Sequence, residues 1–477
     1  MIVGMKHPFK VTCLTLFLLS SFCCLSGCGE PPIPPQTASL STGGKGEFSS
    51  IPLVEGRKAG ETDLEYLLRQ GGIYPNQPEK GDGYHFSNYF DYCSEDELHL
   101  LSRVKGLRAF YMYDGNSFSP AGWKQIGQIS GLEAFHVSSQ YVTDEHLIGL
   151  QGLPHLKDLK ILNRDQKQSP VSDQGLQVLS SFPALRRLVL HSRNLNVRAC
   201  ELIGDCTELR ALELWGPVTD ECLKPLGKLK NLKHLIVVGT FSDAGLKHLS
   251  DLKQLTRLVL HSDQMTGSGL KSFAEAPELR EVGFSGSPAG KATLKQLDQL
   301  PGLAVLNLST PSVNDAVLQT MPDLPQLEAL SLKSSTITDK GLDALVKVKN
   351  LRELVLYSTE ITNAGLIRLE PLQQLHLLVL GNPIKMELIT GKGLEPLTKL
   401  PRLEVLNIEF VNAEKLDLRP LARCHSLVKV DLNISSDEAR KRWQEVLAER
   451  PVLNKVLKII PVTRFLEKHF ASGGEIP

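Results

Sequence analysis

The chain has 477 residues, 42% of them hydrophobic and 22% charged, which is enough apolar sequence for a packed core and excludes a wholly disordered polymer. Lys and Arg number 53 and Asp and Glu number 53, so the net charge is zero. With no basic surplus, nucleic acid is not the expected partner.

The first elements are targeting segments. Lys6 and Lys10 give a positive start, and Val11 to Leu25 is almost uninterrupted apolar sequence. Charge, a short apolar run and small residues before a break describe a secretory signal rather than a membrane span. The run closes on Leu25-Ser26-Gly27-Cys28, which resembles the lipobox of bacterial lipoproteins. That resemblance implies cleavage after Gly27, so residues 1–27 are a lipoprotein signal peptide. It also implies a diacylglyceryl thioether and an N-terminal acyl chain on Cys28. More than one chain anchors a protein stably. The expected location is therefore a bacterial membrane, at the outer membrane and periplasm or the cell surface. Gly29 stands where an Asp would, by the same resemblance, favour the inner membrane. An ordinary secreted protein with a chance cysteine is the plainer alternative.

Residues 28–60 are rich in Pro, Gly, Ser and Thr and read as a tether, stiff at Pro31 to Pro35 and looser after. Residues 61–93 show little periodicity and read as an N-terminal cap.

From 94 to 433 one unit recurs. ITDKGLDALVKVKNLRELVLYST (337–359) has close siblings at 218–240, 241–263 and 361–383. The shared pattern is apolar-[ST]-[DN]-x-G-L-x-x-L-x-x-L-x-x-L-x-x-L-x-L, restarting about every 24 residues. Thr338 is a natural N-cap, and Asp339 sits where the helix dipole favours a negative charge. Leu342, Leu345 and Val348 follow at three-residue spacing and predict one side of a short helix. The period then changes to two. Leu354 and Leu356 alternate with Glu353, Val355 and Tyr357, as a half-exposed strand requires. Gly175, Gly245, Gly269, Gly341, Gly365 and Gly393 recur in the helical part, where glycine costs roughly 1 kcal/mol against alanine. Close approach of neighbouring helices is the expected reason. A fixed period of this size marks a solenoid, and a single unit is too small to fold alone.

This pattern resembles the leucine-rich repeat. Its T-D-x-G-L form is similar to ribonuclease-inhibitor-like and F-box-associated repeats and to repeats of bacterial surface proteins. The Asn common after the strand is replaced by Thr240, Asp263, Pro311, Ser335 and Thr359. The implied fold is an α/β solenoid, a curved horseshoe with a parallel concave sheet and short convex helices. About fourteen repeats are expected over 94–433. Residues 434–477 then read as a C-terminal cap, with Ser435 and Glu438 as a capping box.

Enzyme motifs are missing. The sequence has no H-E-x-x-H and no G-x-S-x-G, and Gly290-Lys291 lacks both ends of a phosphate-binding loop. No cofactor and no metal are expected. His191 and His261 stand three strands apart, roughly 14 Å, too far to share one zinc ion. Cys200, Cys206 and Cys424 occupy apolar repeat positions and Cys222 a repeat glycine. All read as inert buried thiols, with a Cys200–Cys206 bridge as a minor alternative.

The candidate site is the concave face. Arg187, Val189 and His191; Ala211, Glu213 and Trp215; His234, Ile236 and Val238; and Arg257, Val259 and His261 are the outward residues of four successive strands. Val189, Trp215, Ile236, Val238 and Val259 are expected to form an apolar area rimmed by arginines and histidines. Such an area marks an interaction site, and Trp and Arg are favoured anchors. Extra residues at 163–170 and 382–388 leave the same rim, where solenoid insertions often join the binding side. The expected function is non-enzymatic: a lipid-anchored envelope protein binding a protein, or a glycan, on its concave face. The alternatives are a structural envelope spacer without a ligand, or an adaptor like the F-box-associated repeat proteins.

Overall fold

The computed structural model describes residues 95–113, 118–139, 141–162, 171–286, 290–334, 336–382, 385, 388–409 and 416–432, with short pieces at 62, 65, 73–75, 84–88 and 441. All belong to the unit Arg57–Ile459. The expected signal peptide, Cys28, the tether, most of both caps and the 163–170 insertion lie outside the described residues.

Strands recur once per repeat. They are β1 (Ile73–Pro75), β2 (Tyr84–Asn88), β3 (Leu107–Tyr113), β4 (Ala134–Ser138), β5 (Asp158–Leu162), β6 (Arg187–His191), β7 (Ala211–Val218) and β8 (His234–Gly239). They continue as β9 (Arg257–His261), β10 (Glu281–Ser285), β11 (Val305–Ser309), β12 (Ala329–Lys333), β13 (Glu353–Tyr357), β14 (Leu377–Gly381), β15 (Val405–Glu409) and β16 (Lys429–Leu432). They form one open sheet in chain order. Only β1 and β2 pair antiparallel among these neighbours. The strands β3 to β16 match the expected fourteen repeats. β2 pairs in parallel with β3, so the parallel part of the sheet begins one strand before the recognisable repeats.

Alternation along each strand builds the core. Leu188 and Leu190, Leu212 and Leu214, Leu235 and Val237, and Leu258 and Leu260 all point inward and are buried. Helices close the other side. Several are 3₁₀ rather than α, among them Asp339–Lys347 and Lys392–Lys399. Three-residue spacing is compatible with the 3.0 residues per turn of a 3₁₀ helix, although Asp220–Leu226, with Leu223, Leu226 and Leu229 at the same spacing, is α. Leu342, Leu345 and Val348 are accordingly all buried.

The repeated [ST]-D-x-G segment ties each repeat to the next. Asp144 accepts from the backbone N–H of Ser172 at 2.7 Å and its hydroxyl at 2.6 Å. Asp220 does the same for Ser242, Asp315 for Thr338 and Asp339 for Thr362. Each carboxylate then fills the space beside the next repeat's glycine. A Cβ on Gly175 would lie 2.5 Å from Asp144 Oδ1, and one on Gly365 would lie 2.1 Å from Asp339 Oδ1. Asn363 makes the same tie, accepting from the Thr390 N–H at 3.0 Å beside Gly393; where neither Asp nor Asn holds the position, the next repeat's glycine is missing too. Pro120 precedes His146, Val197 precedes Cys222, Gly267 precedes Thr293, and Lys291 precedes Val317. Two of these larger residues reach back to the repeat before them. His146 Nε2 lies 3.0 Å from the Phe118 carbonyl, and the Thr293 hydroxyl donates to the Thr266 carbonyl at 3.3 Å. At one junction the Asp is present but the glycine is not: Asp173 is followed by Ala199, and there Asn196 Nδ2 donates to Asp173 at 2.8 Å.

Candidate functional site: the outward face of the sheet

Register places the outward residues in three rows running across the strands. The first is Asp158, Arg187, Ala211, His234, Arg257, Glu281; the second is Lys160, Val189, Glu213, Ile236, Val259, Gly283. The third is His191, Trp215, Val238, His261, Ser285. All twelve expected outward residues therefore share one face and lie on four adjacent strands.

Trp215 is held from two sides. Its indole Nε1–H donates to Glu213 Oε1 at 2.7 Å. Its ring stacks on His191, with centroids 4.9 Å apart and planes 27° apart. His191 Nε2 lies 3.7 Å from the same Glu213 oxygen. Burial pushes the Glu213 carboxyl up, but the His191 contact, the Trp215 N–H and the charge of Lys160 outweigh it and keep it below the usual glutamate range. Glu213 is thus an ionised clamp on both rings. A large half-buried ring fixed in this way offers contact area at little entropic cost.

The apolar area is smaller than expected. Val189 and Val259 are only 2% exposed. Both sit in the middle row, between strands about 4.8 Å apart, where longer neighbours overtop a short branched side chain. Trp215, Ile236 and Val238 remain half-buried and form the accessible part. Arg257 is likewise not a free rim cation: it is 9% exposed and paired with Glu281, Nε to Oε1 3.1 Å. Burial pushes the Glu281 carboxyl up against that partner's pull.

A polar cluster extends the site beyond the residues the sequence singled out. Asp158 Oδ2 lies 3.0 Å from His136 Nε2 and 3.3 Å from Arg187 Nη1. Burial pushes the Asp158 carboxyl up, but His136 and Arg187 hold it below the ordinary aspartate value. Lys160 is half-buried, and burial pulls its ammonium below the ordinary lysine value, with Glu213 and Asp158 opposing. His136 also packs on Tyr111, ring centroids 4.9 Å apart. The signal for Asp158 and Lys160 was available: they occupy the same two outward positions one strand before Arg187 and Val189.

His234 is held below the usual histidine value by burial, then by the charges of Arg257 and Arg187. Burial does the same for His261, whose Nδ1 lies 2.8 Å from Ser285 Oγ. Among the described residues no group of three or more His, Cys, Asp or Glu is placed to hold a metal ion. Cys200, Cys222 and Cys424 are buried, whereas Cys206 is only half-buried. A cavity of about 330 Å³ between Ser102–Arg108 and Gln128–Gly131 contains none of the outward residues. The outward face is a platform of ion pairs and rings. It suits contact with a surface more than enclosure of a small substrate.

An open sheet of stacked repeats, backed by short helices and faced with such a platform, defines a leucine-rich repeat solenoid. The family model described as a leucine-rich repeat region matches residues 168–442, more than half of the chain, and the chain belongs to that family. No curated protein matches the chain. Among solved structures it is similar to an internalin from Listeria monocytogenes str. 4b F2365, at 18% identity and TM-score 0.46, over 72% of this chain and 95% of that one. It is also similar to TLR13, solved as a complex with ssRNA13, at 18% identity and TM-score 0.44, over 69% of this chain and 47% of that one.

Proposed function

We propose that this protein is a non-enzymatic, lipid-anchored envelope protein that binds a macromolecular partner, a protein or a glycan, on the outward face of its sheet. The observation that carries the reading is Trp215, fixed between Glu213 and His191 beside Ile236 and Val238. Fixed aromatic rings at the centre of a polar surround are the usual anchors of protein interfaces. The ion-paired rim at Asp158–Arg187 and Arg257–Glu281 orients a partner more than it strengthens binding. The signal at 1–27 and lipidation of Cys28 place the array at a bacterial membrane in this reading, with repeats of the ribonuclease-inhibitor-like, T-D-x-G-L type.

The test is a saturation binding assay on envelope extract with Trp215→Asp and Ile236→Lys beside the parent chain. Loss of the captured species with an unchanged circular-dichroism spectrum supports the reading. Undiminished capture by both variants removes this face as the site.

A further inference from the structure

The helix Val197–Gly204 and the helix Asp220–Leu226 meet without the carboxylate tie of neighbouring repeats. Val197 stands in the acidic position, and Cys222 in the glycine position of the repeat that follows. Cys200 is the fourth residue of its helix, as Leu246 and Leu318 are of theirs. The equivalent geometry is visible at those two places. A Cβ on Gly269 would lie 2.8 Å from Leu246 Cδ1, and one on Gly341 would lie 3.2 Å from Leu318 Cδ1. A side chain at the glycine position thus lands on the fourth-position side chain of the repeat before. In this interface both side chains are cysteines, and both are buried.

By that placement the two thiols face each other across the junction. Thr219 Oγ1 donates to the Cys222 sulfur at 3.6 Å. The neighbouring Cys200 thiol is the main reason the Cys222 thiol falls below its usual value, and Cys222 is the main reason Cys200 rises. Cys206 is not the natural partner of Cys200. Cys200 sits inside the helix, whereas Cys206 lies past its C-cap Asp205 with its own sulfur engaged elsewhere. The Cys206 S–H donates to the Leu202 carbonyl at 3.5 Å.

We propose that Cys200 and Cys222 are an oxidative modification site, closing a disulfide that covalently joins two successive repeats where the carboxylate tie is missing. The oxidant is a small-molecule disulfide. The Cys222 thiolate attacks one of its sulfurs, which breaks that S–S bond and releases the first thiol. Cys200 loses its proton to solvent and attacks the Cys222 sulfur of the mixed disulfide, releasing the second thiol. Two cysteines are oxidised and one disulfide is reduced to two thiols. Because both sulfurs are buried in the folded chain, exchange takes place while the two repeats dock or when they open locally.

The experiment refolds the full chain from guanidinium in a mixture of oxidised and reduced glutathione, and separately in dithiothreitol. Alkylation in denaturant and non-reducing peptide mapping follow. The expected result is a Cys200–Cys222 linked peptide from glutathione alone, unchanged in Cys206→Ser, with a melting temperature roughly 5 °C above the reduced protein. Cys222→Gly should abolish the linked peptide and keep the circular-dichroism spectrum, since Val197 leaves that position open. Recovery of both cysteines fully alkylated from the glutathione sample overturns the proposal, as does a Cys200–Cys206 peptide in its place.

Discussion

At the residue scale, the repeat glycine answers to a partner in the preceding unit. A lone glycine in a helical segment reads as a weakness, because alanine there is worth roughly 1 kcal/mol more. The contact explains it, since the Asp339 carboxylate already occupies the place of a Gly365 side chain. Gly365→Ala should therefore destabilise by about 2 kcal/mol, as overpacking does. In the Asp339→Ala background the same alanine should cost less, though Ile361 Cγ2 at 2.8 Å still crowds it, and denaturant melts of the single and double variants measure the coupling. The periodicity made the glycines visible, but it could not say which atom crowded them, because the crowding atom belongs to another repeat. The burial of Val189 and Val259 has the same origin: strand alternation gives their direction, while coverage depends on side chains one strand away. Binding should be as local. If Trp215 anchors the partner, Trp215→Ala should weaken affinity about 30-fold or more in a titration, whereas Lys253→Ala, an exposed ion-pair residue, should leave it within twofold.

At the scale of single elements, the strands were the most legible part, since Leu354 and Leu356 announce their period without help. The helices were legible in place but not in type. Three-residue spacing predicts a short helix, but the same spacing gives 3₁₀ at Asp339–Lys347 and α at Asp220–Leu226. β2 had no repeat signature and was assigned to a cap, yet it continues the sheet. Core positions are interchangeable in pattern but costly to empty. Leu354→Ala should lower stability by about 2–5 kcal/mol, read from guanidinium unfolding. Histidines on several elements give the array a pH dependence. His146, His234 and His261 are each held below the usual histidine value, burial being the main cause. Above the unfolded value of 6.5 both states are neutral and the full stability is present. As pH falls below it, the unfolded chain binds protons that the folded chain does not, and stability is lost. The guanidinium midpoint should drop between about pH 7.5 and about pH 5.5, and His234→Gln with His261→Gln should shrink the drop.

At the scale of the whole molecule, each repeat depends on the one before it. Hydrogen bonds from Ser172, Ser242, Thr338 and Thr362 to the preceding repeat's Asp make this dependence directional. Stability in such an array is a sum of nearest-neighbour terms, and its weakest junctions are those without the tie. Stacking leaves one face of the sheet free of helices, and the Trp215 platform lies there. The most direct measurement places a photo-cross-linking amino acid at position 238 on that face, and at position 367 on the helix side, where Ile367 is 57% exposed. On illumination in intact cells, the account predicts a discrete adduct from position 238, abolished by Trp215→Asp, and none from position 367. An adduct from 367 alone, or one from 238 that survives Trp215→Asp, would contradict it.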